Sequence, residues 1–297
     1  MGLLTPFSVR AKRWIILALL PLLASCSALR LAYSTAPEIT YWWADRYVDF
    51  SAEQAPRARA ALSDWFAWHR SSQIPDYVAF LASVRAQALG AVTAAQVCQR
   101  SAEINQRLDV AFDRALPALA DIALTLTPAN LEHMAERYRK GNAEFRDEYA
   151  QGDPRKRREA SFERTLKRME DWYGRLDEAQ RKDLAAAMAT SPFDATIWLA
   201  ERDARQQDIL RTLRAQLAAR ADKPRMAAAL RQLADSQAQS SRPAAREYQQ
   251  RLVDYNCAMV ARIHNSTTAA QRQRLAEKLR GYEDDLRAIG GLAPSDS

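Results

Sequence analysis

A short motif that starts helices recurs five times in this chain, and it constrains the fold more than any other feature. The copies are FSAEQ (50–54), VTAAQ (92–96), LTPAN (126–130), LDEAQ (176–180) and TTAAQ (267–271). In each, a Ser, Thr or Asp (Ser51, Thr93, Thr127, Asp177, Thr268) is followed three residues later by Gln or Asn (Gln54, Gln96, Asn130, Gln180, Gln271). An oxygen at the N-cap accepts from the amide at the third helical position. The side chain there reaches back to the N-cap amide, so two donors that a helix start leaves unpaired are satisfied. Each cap contributes about 1 kcal/mol to its helix. Val92 with Val97, and Leu126 with Leu131, have the spacing of a hydrophobic staple. Amphipathic stretches follow the copies, such as RKDLAAAM after Gln180. Helix initiation alone accounts for the motif without a ligand.

The rest of the chain agrees. Gly is scarce, at 8 of 297 residues, while Ala, Leu, Arg, Glu and Gln, all strong helix formers, dominate. Pro, Gly, Ser and Asp punctuation divides it into helices at 38–49, 52–70, 75–89, 94–124, 128–150, 155–174, 178–189, 192–220, 223–238, 243–264 and 269–288. Pro56, Pro75, Pro128, Pro192 and Pro224 fall near helix starts, where a missing N–H does no harm. Pro117 falls inside the fourth long segment and should kink or split it. The fold expected is all-α, an irregular multi-helix bundle spanning 41–289. AQGDPRKRR (150–158) either separates halves at 41–150 and 155–289 or is a surface turn in one bundle, and the single bundle is slightly favoured. The tail 290–297 is expected to be disordered.

The first 25 residues read as a leader rather than as part of the fold. Arg10, Lys12 and Arg13 precede WIILALLPLLAS (14–25), an apolar run too short to serve comfortably as a permanent span. It ends in Leu23-Ala24-Ser25-Cys26, which resembles the bacterial lipobox. That resemblance implies a lipoprotein signal peptide over 1–25, lipidation of Cys26 and a membrane partner held through the anchor. Ser27 after the cysteine implies the outer membrane, periplasmic face. Removing 1–25 takes away three basic residues and no acidic ones, so the net charge falls from +7 to +4. This modest balance and the periplasmic address argue against nucleic acid as a partner. Residues 26–40 then form a short tether, whose 10 to 14 extended residues reach at most about 35 to 50 Å.

With Cys26 acylated, Cys98 and Cys257 remain. An even count in an oxidising compartment predicts a Cys98–Cys257 disulfide, closing a long loop and contributing about 4 to 5 kcal/mol.

YWWADRYVDF (41–50) is the most aromatic stretch, and its rings are expected in the core rather than in a lipid interface. In WFAWHR (65–70), Leu62, Trp65 and Trp68 share a helix face expected to point inward. The sharper alternative is a partner surface made by Trp68, His69, Arg70 and Tyr77. The basic runs RYRK (137–140) and RKRR (155–158) read as solvated faces before they read as sites for anionic lipid or glycan.

Two resemblances bear on function. LTPAN and VTAAQ are similar to the LTxxQ motif of the Spy and CpxP group, small helical periplasmic proteins that bind unfolded envelope proteins. Successive Gln or Asn positions are 42, 34, 50 and 91 residues apart, so there is no regular repeat. The lipobox, Trp43-Ala-Asp45-Arg-Tyr47, Trp68-His69-Arg70 and Ile74-Pro75-Asp76-Tyr77 together resemble uncharacterised proteobacterial lipoproteins, a family of unknown function.

Catalytic signatures are sparse. The three histidines, His69, His133 and His264, fall on different helices, and Glu132-His133-x-x-Glu136 lacks the second His of a zinc protease. There is no nucleophile elbow, phosphate loop or Gly-rich dinucleotide turn. A peptidoglycan lytic transglycosylase would need a Glu-Ser pair and Gly-rich groove segments that are missing here. The reading is a non-enzymatic, membrane-anchored periplasmic lipoprotein without cofactor or metal, binding envelope proteins in homeostasis or stress. The alternatives are a scaffold subunit of an envelope complex and, more distantly, a peptidoglycan-active enzyme.

Overall fold

The computed structural model describes the backbone of residues 8–150 and 152–294, and side chains from residue 28 onward within those ranges. Among the described residues eleven α-helices follow one another: α1 (Ser8–Val48), α2 (Gln54–Trp68), α3 (Ile74–Ala88), α4 (Ala94–Ala123), α5 (Pro128–Phe145), α6 (Pro154–Tyr173), α7 (Glu178–Ala189), α8 (Ala195–Ala218), α9 (Lys223–Ala238), α10 (Pro243–Ser266) and α11 (Ala269–Gly290). The described residues contain no strand. The chain is therefore an all-α bundle.

Four of the five motifs form complete capping boxes, at Thr93–Gln96, Thr127–Asn130, Asp177–Gln180 and Thr268–Gln271. At the fifth, the Ser51 amide donates to Gln54 Oε1 and the Gln54 amide donates to Ser51 Oγ, so the same reciprocal bonds form just ahead of α2. Asp153, Asp194 and Asp222 cap α6, α8 and α9 without a reciprocating residue, which is why they escape a motif search.

α3 lies along α11, α4 packs against both α10 and α9, and α5 packs against α8. Helices before and after residues 150–158 are thus direct neighbours. One core cluster joins Ala120, Leu131, Leu210 and Met226 from α4, α5, α8 and α9. A second joins Leu166, Tyr173, Leu184 and Ile263 from α6, α7 and α10. Burying a side chain such as Leu184 or Met226, neither of them exposed, contributes about 1.5 to 3 kcal/mol. Cys98 on α4 and Cys257 on α10 are joined by a disulfide, with Cα atoms 5.4 Å apart.

α11 also carries two buried carboxylates. Glu283 accepts from Arg85 of α3 at 2.7 and 3.3 Å, and Asp285 accepts from Arg30 of α1 at 2.8 Å. Removing an arginine leaves its carboxylate buried without a partner, at a cost of up to about 3 to 5 kcal/mol for the Arg85 pair and less for Arg30, whose side chain is 46% exposed and screened by solvent. These two pairs therefore fix how α1 and α3 sit on α11.

Several sequence expectations change. The segment 26–40 is not an extended tether but part of α1, and a helix of that length rises about 1.5 Å per residue instead of about 3.5. Tyr33 hydrogen-bonds His69, Arg59 lies 3.6 Å from the Tyr41 ring centroid, and Arg30 holds Asp285, so packing carries the helix through Pro37. The aromatic stretch divides: Tyr41 is buried, but Trp42 and Trp43 point to solvent. Pro117 does not split α4. A π-helical turn at His69–Gln73 joins α2 to α3 without a break, and another at Arg146–Ala150 extends α5. Of the tail, Gly290 belongs to α11, while residues 295–297 lie outside the described residues.

Candidate binding groove

The capping boxes do more than start helices. They meet in pairs across the bundle. Gln54 Nε2 donates to the Thr125 carbonyl at 2.7 Å and to Asn130 Oδ1 at 3.2 Å, and Asn130 Nδ2 donates to the Val48 and Asp49 carbonyls at 3.0 and 2.7 Å. Gln180 Nε2 donates to the Ser266 carbonyl at 2.9 Å, and Gln271 Nε2 donates to the Arg175 carbonyl at 3.0 Å. In all four cases an accepting carbonyl lies two residues ahead of the partner box's N-cap. Each pair thus ties one helix corner to another: α1–α2 to α4–α5, and α6–α7 to α10–α11. The Thr93 box is held differently, by Asn265, whose side chain accepts from the Val92 amide at 2.9 Å and donates to its carbonyl at 2.8 Å.

A buried histidine ties the same corners together. His264 Nε2 lies 2.8 Å from the Gly90 carbonyl, so it carries the proton, and Nδ1 accepts from the Tyr173 hydroxyl at 3.0 Å. Burial lowers the pKa of this imidazole and pushes the Tyr173 phenol up to about 12.

The first pair of corners frames a half-open groove of about 1160 Å³ between α1, α2, α4, α5, α8 and α9. Val48, Phe50 and Leu126, which flank the paired Ser51 and Thr127 boxes, line it. The groove is roomy because α2, α4 and α9 turn alanines toward it, among them Ala58, Ala61, Ala115, Ala118 and Ala234. Helix cylinders pack about 8 to 10 Å apart, and small facing side chains leave the space between them unfilled. Leu62, Trp65, Leu108, Phe112 and Leu230 supply apolar walls. Leu108 is 60% exposed and Leu119 39%, a large apolar cost to leave facing water. Along the α4–α9 rim Arg231 bonds Asp109, Asp113 and Asp235 and stands 5.4 Å from the Phe112 ring centroid. These carboxylates hold the guanidinium's pKa above its ordinary value. The rim is therefore a charged clamp around an apolar floor.

The sequence-derived partner surface lies beside this groove. His69 packs against Trp65, Trp68 and Tyr77 with ring centroids 4.8, 6.4 and 5.3 Å away. Its Nδ1 is 2.8 Å from the Tyr33 hydroxyl, and burial lowers its pKa. Trp65 is half-buried, donating its indole N–H to the Ala111 carbonyl, and Trp68 lies under Arg114. Arg70 is exposed, 5.5 Å from the Tyr33 ring centroid. Trp68, His69 and Tyr77 thus come together, but Tyr33 of α1 sits against them. The groove itself has no signature in the sequence, because its alanines read only as helix formers.

The lipidation expected at Cys26 concerns a side chain outside the described residues. Among the described residues, no group of three or more His, Cys, Asp or Glu could hold a metal ion, and no helix is long and apolar enough to cross a membrane. A family model described as a family of unknown function (DUF6279) matches residues 46–232. That span contains α2 to α8 and most of α9. No curated protein and no solved structure matches the chain.

Proposed function

The chain belongs to the DUF6279 family of unknown function, and from its own geometry we propose that it is a non-enzymatic binding protein of the bacterial envelope. In this reading Cys26 is lipidated and the helical domain sits at the periplasmic face of the outer membrane. There it captures apolar segments of envelope proteins in homeostasis or stress. The observation that carries the reading is the groove between α2, α4 and α9. Its volume of about 1160 Å³ exceeds the range of roughly 300 to 1,000 Å³ typical of small-molecule pockets. An amphipathic segment that lays its apolar face into such a groove is held by burial of area, with little demand on its sequence. The Arg231 network at the rim offers charge to the polar flanks of such a segment.

The test is suppression of aggregation of a chemically unfolded client by the purified chain, with Ala118→Trp as the groove-filling variant. Ala118 lines the groove and is only half-buried, so the indole fits without displacing the core. The parent chain is expected to keep the client in solution and the variant to lose that effect with its melting temperature retained. Equal suppression by the two, or none by the parent, would refute capture in the groove. Recovery of one stoichiometric complex from crosslinked envelopes would point to a scaffold subunit instead.

A further inference from the structure

The outer face of α1 is apolar where the bundle leaves it uncovered. Leu31 is 66% exposed, Ile39 58%, Trp42 69% and Trp43 62%. At about 3.6 residues per turn these fall on one side of the helix, with Ala28, Ala32 and Thr35, all exposed, between and before them. Arg30, Tyr33, Tyr41 and Ala44 occupy the opposite side and make the contacts with Asp285, His69, Arg59 and the groove. α1 is therefore two-faced along its whole described side-chain length: one face is docked on the protein, and the other presents Leu, Ile and two adjacent Trp to the surroundings.

We infer that this uncovered face lies in the surface of a phospholipid bilayer, with α1 parallel to the membrane plane. Three observations select lipid over a protein partner. First, the helix is continuous with the apolar run 14–25, so whatever holds that run or its end at a membrane also brings the stripe to it. Second, the stripe ends in Trp42 and Trp43, with Trp43 4.9 Å from Tyr47, and amphipathic rings favour the headgroup boundary. Third, of the two acidic side chains beside the stripe, Glu38 is paired with Arg59 and Asp45 accepts from the Phe50 amide, while the exposed Arg46 closes the tryptophan end and Arg137 stands 5.8 Å from the Tyr47 ring. Those cations suit anionic headgroups. α1 lines the groove with Thr40, Ala44 and Val48 of its docked side, so the groove and the exposed stripe use opposite faces of the helix. The inference rests on α1 alone and holds whether or not the groove captures protein.

The experiment incubates the full chain with vesicles of phosphatidylethanolamine and phosphatidylglycerol carrying a photoactivatable acyl chain, then maps the crosslinked peptides. Adducts are expected on residues 31–46 as well as on residues before 28. Trp42→Gln/Trp43→Gln should lose the 31–46 adducts while the chain still sediments with the vesicles. Adducts confined to residues before 28 would overturn the inference, because the helix would then be tethered but not docked. So would chain-to-chain crosslinks through 31–46 that form without lipid, which would assign the stripe to a second copy. The α1 readout is independent of client aggregation, so failure here leaves the groove reading standing and the reverse also holds.

Discussion

The side-chain amides of Gln180 and Gln271 hydrogen-bond each other in both directions, at 2.8 and 3.1 Å, across 91 residues of chain. Each also accepts from its own N-cap amide, at 3.0 and 2.9 Å, so two helix starts share one closed ring of hydrogen bonds. Gln54 and Asn130 join the other two corners in a similar way, except that only Gln54 donates within the pair. Four residues that look like independent caps are therefore two coupled pairs.

Coupling of that kind is measurable. Gln96→Ala removes only a box bond at an exposed corner and should cost about 0.5 to 1.5 kcal/mol. Gln180→Ala takes the donor from the Ser266 carbonyl and the acceptor from the Asp177 amide and from one N–H of Gln271, whose other N–H keeps the Arg175 carbonyl, and should cost about 2 to 3 kcal/mol. In a double-mutant cycle, Gln180 with Gln271 should show an interaction energy of about 0.5 to 3 kcal/mol, and Gln180 with Gln54 should be additive. Urea unfolding of the four single and two double variants decides this. Additivity at Gln180 and Gln271 would mean the amide pair carries no energy.

The disulfide between Cys98 and Cys257 closes a loop of 159 residues and ties α4 to α10. In the chain-entropy account such a loop contributes about 4 to 5 kcal/mol. Cys98→Ala/Cys257→Ala should lower the denaturation midpoint accordingly, and reductant should lower the parent's midpoint by a similar amount. The double variant should show no response to reductant.

Local signals explain why so much of the fold is legible in the residues. Thr93, Thr127, Asp177 and Thr268 each carry a start that needs only four residues of context, and the helices begin there. Even the cysteine pair follows from counting. What escapes is set by tertiary contact. That Gln180 faces Gln271 rather than Gln54 depends on how the corners meet, and no spacing along the chain encodes it. α1 runs through Pro37 because Tyr33, Tyr41 and Arg30 find partners on α2, α11 and the His69 turn. Trp42 and Trp43 are exposed because those contacts claim the opposite face of the helix. The groove depends on alanines facing one another from α2, α4 and α9, and an alanine carries no mark of what it faces.

Tyr173 and His264, bonded at 3.0 Å, are both favoured in their neutral forms by burial, and each therefore couples the stability of the bundle to pH. Burial holds His264 below its ordinary 6.5, and it holds His69 below that value too. Above about 6.5 both imidazoles are neutral in either state. As pH falls below 6.5 the unfolded chain takes up protons that the folded chain refuses, so stability declines toward the folded-state pKa. Glu53, Glu103 and Glu170 are held below their ordinary 4.5, so their contribution is lost only at lower pH. Decline between about 6.5 and 4.5 therefore belongs to the histidines. At the other edge, burial raises Tyr173 from 10.0 to about 12. The unfolded phenol ionises first, and about 2 to 3 kcal/mol should be lost as pH rises from 10 to 12. Tyr33, Tyr77 and Tyr138 are also raised by burial and add to this alkaline loss. Denaturant titrations across pH test both limbs. His264→Gln should flatten the acid limb, and Tyr173→Phe should shrink the alkaline one. An acid limb unchanged in both His264→Gln and His69→Gln would show that neither imidazole governs it.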